Sequence, residues 1–164
     1  MKKILSVLLI FVICFSLCGC AFLGDVMDMS EKEKAKTFEF DGITIELTTK
    51  FLRMDFISED FDFTVGNEII TVMGKKFNAD ELGDPTVLEF AEYYTLLLKD
   101  NNPSPVTEIE GIPTTGYTAE DHTFLLAYYK GSDSFWIISF GTLSTDYQSN
   151  YDNICNYAKS VKCE

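Results

Sequence analysis

Two apolar runs dominate the second half of the chain. Residues 124–129 read FLLAYY and residues 135–140 read FWIISF, and the five residues between them, KGSDS, are turn chemistry of hairpin length. A strand with one wet face alternates apolar and polar residues. These two do not alternate, so both faces of this part of the sheet are expected to be covered. The pattern puts the hairpin, with the single tryptophan Trp136, at the centre of a sheet with a layer on each side.

Shorter alternations surround it. Phe38 and Phe40, a turn at Asp41-Gly42, then Ile43, Ile45 and Leu47 predict a hairpin. Phe61, Phe63 and Val65 alternate and are read as one strand face. Gly66-Asn67 turns into a strand over 68–73 that reaches toward Phe77, and 78–85 reads as loop. Strands are predicted over 106–110 and 112–119, on either side of Gly111. Helical spacing occurs twice. Over 86–100, Thr86 and Glu89 form a capping box, Phe90, Ala91, Tyr94, Leu97 and Leu98 form an apolar face, and Asn101-Asn102-Pro103 stops the helix. Over 146–159, Tyr147, Tyr151, Ile154, Ala158 and Val161 recur at spacings of four and three, with Thr145 and Gln148 as the capping box. Residues 161–163 read as a short closing strand. Two amphipathic helices and strands in consecutive hairpins predict an α+β fold. It is an α/β/α sandwich, with a mainly antiparallel six- to seven-stranded sheet and one helix on each face.

The pattern at the start of the chain is different. Residues 4–17 are nearly all apolar and follow Lys2-Lys3. That is short of the roughly 20 residues a membrane-spanning helix needs, and it fits an export signal. Leu17-Cys18-Gly19-Cys20 resembles the lipobox of bacterial lipoproteins, with leucine three residues before the cysteine and a small residue just before it. The resemblance implies that residues 1–19 are a removed signal peptide. Cys20 would then be the mature N-terminus, lipidated on its thiol, and would hold the chain to the extracytoplasmic side of the cell membrane. Two acyl chains anchor firmly where one does not. Residues 20–36 are then a tether. Its Phe22, Leu23, Val26 and Met27 either belong to plain linker or dip into the headgroups. Residues 37–164 form the domain.

Charge narrows the partners. The 26 acidic residues outnumber the 13 basic ones, a formal net charge of −13. Loss of Lys2 and Lys3 with the leader makes the mature chain more negative still. Nucleic-acid binding needs the opposite sign and is not expected. Anionic headgroups repel such a domain, so its hold on the membrane is assigned to the lipid.

Candidate chemistry is sparse. The one histidine, His122, stands beside Asp121 in a predicted tight turn. A Ser-His-Asp hydrolytic site would have to be built on it, with a serine brought from elsewhere. There is no CxxC, no pair of histidines and no Gly-rich phosphate loop, so no metal or cofactor is expected. The acidic stretch around Glu59 and Asp60 lacks the spacing and glycine of a calcium loop. With Phe51 and Phe56 beside it, the stretch is a candidate contact for a cationic or peptide partner, and core packing is the other reading of these aromatics. Cys155 and Cys163 are either an exported disulfide or two small hydrophobes.

The order of elements carries a second resemblance. It runs from the hairpin over 38–47 and a turn into Phe51, through the LEFAEYY helix, to a strand meander ending on the Trp136 strand and a Tyr-led helix. Trp136, Phe140, Tyr151, Ala158, Ser160 and Val161 add to it. Together these resemble the PsbP-like superfamily over residues 38–163, with Thr48 where relatives often carry proline. The superfamily includes a photosystem accessory subunit and a Ran-binding nuclear transport factor, so the resemblance implies a fold and a non-enzymatic, partner-binding habit. The chain is therefore read as an exported, lipid-anchored, monomeric binding or accessory module for an unknown envelope protein or peptide. The alternative is a small envelope hydrolase using His122.

Overall fold

The computed structural model describes residues 33–54 and 61–164. Its centre is a seven-stranded antiparallel sheet of β3 (Leu52–Arg53), β4 (Phe63–Gly66), β5 (Thr71–Asn78), β6 (Thr107–Ile109), β7 (Ile112–Ala119), β8 (His122–Lys130) and β9 (Ser134–Leu143). The strand order is β3-β4-β5-β9-β8-β7-β6. A second sheet joins β1 (Ala35–Phe40), β2 (Ile43–Thr48) and β10 (Lys162–Cys163) in the order β1-β2-β10. Three α-helices are described, α1 (Ala79–Leu82), α2 (Val87–Leu97) and α3 (Ser144–Ser160), and a 3-10 turn follows α2 at Lys99–Asn101.

The β8–β9 hairpin is central, and its side chains sort by the period of two. Leu125, Ala127, Trp136, Ile138 and Phe140 join Val65, Val72, Ile154 and Ala158 in one buried cluster, beneath α3 and the three-stranded sheet. Phe124, Leu126, Tyr128, Phe135 and Ile137 join Phe90, Ala91 and Leu98 in the other, beneath α2. The α/β/α layering, with one helix on each face, is what the unbroken apolar runs predict.

The first hairpin does not extend the large sheet. Phe38, Ile43, Ile45 and Leu47 are buried while Glu39 and Glu46 are exposed. A hairpin with one wet face fits an outer layer, and here it lies beside α3. Phe40 seals the seam, stacking on Phe63 with ring centroids 3.7 Å apart. The Phe63 ring in turn lies on Gly74, where a Cβ would overlap it. Phe61 and Phe63 do not share a face as the alternation suggests. The strand begins at Phe63, and Phe61 packs toward the α2 cluster.

Local chemistry sets the helix ends. Asn78 caps α1 by accepting from the Asp80 amide, and Gly83 closes it at φ 74°, so a one-turn helix stands where the sequence reads as loop. The capping box of α2 is present: Thr86 Oγ1 accepts from the Glu89 amide at 3.2 Å, and Glu89 Oε2 accepts from the Thr86 amide at 2.8 Å. The predicted box of α3 does not form. The Ser144 amide donates to the Asp121 carbonyl at 2.7 Å and the helix starts there, which leaves Thr145 inside its first turn.

The closing strand is real. β10 pairs with β2, Ser160 Oγ both accepts from the Glu46 amide and donates to the Glu46 carbonyl at 3.0 Å, and the Ser132 amide donates to the Glu164 carbonyl at 2.8 Å.

Candidate binding surface

His122 opens β8, opposite Ala119 and Leu143. The pairing draws it under the sheet end, and its side chain is 14% exposed, so it is not the exposed turn residue the sequence suggests. Its Nδ1 lies 2.6 Å from Asp121 Oδ1, and its ring centroid is 6.3 Å from that of Phe124. The hydroxyls placed nearby bond to one another: Thr118 to Thr123 at 3.1 Å, and Thr123 to Ser144 at 2.9 Å. An oriented imidazole is thus present, but the Ser144 hydroxyl is engaged with Thr123.

A groove of about 590 Å³ at the opposite end of the sheet is lined by Asp62, Lys76, Asn78, Asp80, Glu81 and Asp133 among others. Its polar groups serve the fold. Asp62 accepts from the Lys76 amide at 2.7 Å, and Lys76 Nζ pairs with Asp41 at 3.0 Å, which raises the pKa of the ammonium. Among the described residues no three His, Cys, Asp or Glu side chains stand ready to hold a metal.

Of the four residues expected to meet a partner, Phe51 is fully buried and set edge-on to Tyr157 at 5.5 Å. The turn that leads from β2 into β3 points it into the core, so it offers no contact surface. Phe56, Glu59 and Asp60 lie outside the described residues, as does Cys20. Cys155 and Cys163 are free thiols, and burial pushes the Cys163 pKa up to about 11.

The anomaly is α2. Its inner face is held by aromatics: Phe90 lies 5.4 Å from Phe77 and 4.9 Å from Phe135, and the helix packs over Tyr128. Its outer face carries Leu88 at 42% exposure, Tyr93 at 57%, Leu96 at 70% and Leu97 at 37%. Leu88, Glu92 and Leu96 follow one another at spacings of four on one line, and Glu89, Tyr93 and Leu97 do so on the next, so carboxylates alternate with the apolar residues. The charged residues of the helix are Glu89 and Glu92, both exposed. Hydrogen bonding from the Thr86 amide holds the Glu89 carboxyl below its usual pKa, so it stays ionised.

No protein-family model matches the sequence, and no curated protein does. Solved structures do. The solution structure of cyanobacterial PsbP (CyanoP) from Synechocystis aligns with a TM-score of 0.54 at 11% identity, over 87% of this chain and 99% of that one. The fold is PsbP-like. A crystal structure from Bacteroides thetaiotaomicron aligns at 0.53 and 11% identity, over 75% of this chain and 45% of that one. The Ran-binding protein Mog1p of Saccharomyces cerevisiae aligns at 0.50 and 11% identity, over 80% and 96%. At such identity the likeness speaks for the fold alone.

Within this PsbP-like domain the outer face of α2 is the feature that sequence reasoning missed. Leu97, part of the expected apolar face, lies nearly in line with Phe90 two turns earlier and at 37% exposure stands at the edge of that face. The signal was present: VLEFAEYYTLL is apolar on all sides, the pattern of a helix buried all round, but this one lies on the surface.

Proposed function

We propose that this chain is an exported, lipid-anchored, non-enzymatic binding or accessory module of the cell envelope, held through Cys20 and meeting its partner along α2. One observation carries the binding half: four large apolar side chains lie open on a helix whose inner face is already fully packed. Large apolar side chains gathered in the open on one helix mark interaction sites. The envelope half rests on the order of Lys2-Lys3, the apolar run over 4–17 and Leu17-Cys18-Gly19-Cys20. The Ran-binding description of Mog1p, a protein of the same fold, adds weight to a partner-binding use.

The test is site-specific photocrosslinking on intact cells, with the crosslinker at Leu96 and, as control, at the exposed Thr37 of the small sheet. A discrete product from position 96 alone is expected. Equal labelling from both positions, or none, overturns the reading. Cys20→Ser in the same cells should leave unprocessed precursor without acyl label.

The Asp121–His122 pair favours a second reading, a small hydrolase. If His122→Ala removed a measurable ester-hydrolysis rate while the domain stayed folded, the enzyme would replace the binding module.

A further inference from the structure

The partner's chemistry can be read from what surrounds the leucines. Both charges on α2 are acidic, α1 adds Asp80 and Glu81, and the turn between the two helices adds Asp84, which is paired with Lys130 at 2.7 Å. The surface is thus leucine and tyrosine interleaved with carboxylates, Glu92 lying between Leu88 and Leu96 and Glu89 one turn before Tyr93. From Leu88 to Leu97 it runs on the order of 14 Å along the helix axis, the length of two to three turns of a partner helix. We infer that α2 is the docking site for a basic amphipathic helix. Its apolar residues would lie on Leu88, Tyr93 and Leu96, and the lysines or arginines bordering its stripe would reach Glu89 and Glu92 between them.

Charge decides against the other occupants. A second copy would bring another chain of net charge −13 and set Glu92 of each copy in the same interface. An anionic bilayer would oppose the same carboxylates. A helix-in-groove partner reads such a surface through anchors at i, i+3, i+4 and i+7, and opposite charge at the edges fixes its orientation.

This inference rests on the binding-module reading, and its test is separable from that one. The full chain in phosphatidylcholine nanodiscs is titrated with a fluorescent amphipathic peptide of about 18 residues, leucine on one face and lysine on the other, long enough to cover the surface. Its leucine/glutamate counterpart is the control. The leucine/lysine peptide should bind and the leucine/glutamate peptide should not. Leu96→Ser, and separately Glu92→Lys, should each weaken binding by about tenfold, as loss of an interface anchor does. The inference is overturned if the peptide fails to bind, if it binds Leu96→Ser as it binds the parent, or if the glutamate peptide binds equally well. It is also overturned if a crosslinker at Leu96 joins two copies of the chain, the leader segment or lipid. A discrete envelope product at Leu96 in cells without binding of the leucine/lysine peptide would sink this partner and leave the binding module standing. Peptide binding without any product in cells would sink the module reading.

Discussion

On one side of the seven-stranded sheet, Trp136, Ile138 and Phe140 lie beneath both α3 and the three-stranded sheet. On the other, Phe135 and Ile137 lie beneath α2 with the one-turn α1 beside it, and among the described residues no second sheet joins them. The first side is complete in itself. Tyr129 OH donates to the Ala158 carbonyl at 2.7 Å, Phe40 stacks on Phe63, and the exposed face of α3 presents Gln148, Ser149, Asp152, Asn153 and Lys159 to water. The second side is equally well packed underneath but wears leucine outside. A layer needed only to cover the core has no use for an apolar exterior. The contrast therefore separates residues that hold the domain together from residues that are spare; Leu52, Ile69 and Leu143 are open singly elsewhere, and the group of spare ones lies on α2.

The contrast can be broken by substitution, most strongly on the doubly covered side. Trp136→Ala should cost ~3–5 kcal/mol, the usual range for a buried aromatic, a large share of a typical stability of about 5–15 kcal/mol. Thermal melting of the full chain checks it, and a small shift would show that this side is not the sealed one. Gly74→Ala comes next. The added methyl must push Phe63 off its seat and so disturb the Phe40 stack that joins the two sheets. Overpacking of this kind costs about 1–3 kcal/mol, read from the urea midpoint.

On the α2 side the effects should shrink. Thr86→Ala removes the N-cap and should cost about 1 kcal/mol. The pH dependence follows from Glu89. Its folded pKa lies below the ordinary value of 4.5 because the Thr86 amide donates to it. Its contribution is therefore complete above that value and is lost as pH falls through the folded pKa. Glu89→Gln keeps a hydrogen-bonding partner for the cap, so it should flatten this acid limb of the melting curve and leave neutral stability nearly unchanged. A curve for the variant that parallels the parent's would remove Glu89 as the cause. Smallest of all, Leu96→Ser should stay within about 0.5 kcal/mol of the parent, as exposed positions do. A loss comparable to Trp136→Ala would mean that α2 is core on both faces.

The layering was legible in the sequence because the 124–129 and 135–140 runs could only be two-sided strands. The α3 stripe was legible because its four–three spacing leaves one face. Gly111 reads as a turn and is one, at φ 85°, while Glu110, read as the end of the strand, joins the turn at φ 50°. Other features were not written locally. Alternation in the first hairpin says which face is wet but not which neighbour its edge will find. The burial of His122 depends on Leu143 arriving opposite it from the end of β9. The start of α3 is fixed by the Asp121 carbonyl, a partner 23 positions earlier, and not by Thr145. At α2 the reason is different: Phe90, Ala91, Tyr94 and Leu98 already make a sufficient inner face, and the spacing of Leu88, Tyr93 and Leu96 says nothing of what lies beyond the helix.

The pairing of β2 with β10 has a consequence in time. Glu46 and Ser160 are 114 positions apart, so the first hairpin to be made receives its last neighbour only when nearly all the chain is out. At synthesis rates of about 5–20 residues per second, that wait is on the order of 10 s. For that interval the edge of β2 shows unmet amides and carbonyls to whatever is nearby, and so distant a contact is intrinsically slow to close. The same delay makes β2 the place where a holding chaperone would bind, or where a faulty copy would begin to aggregate.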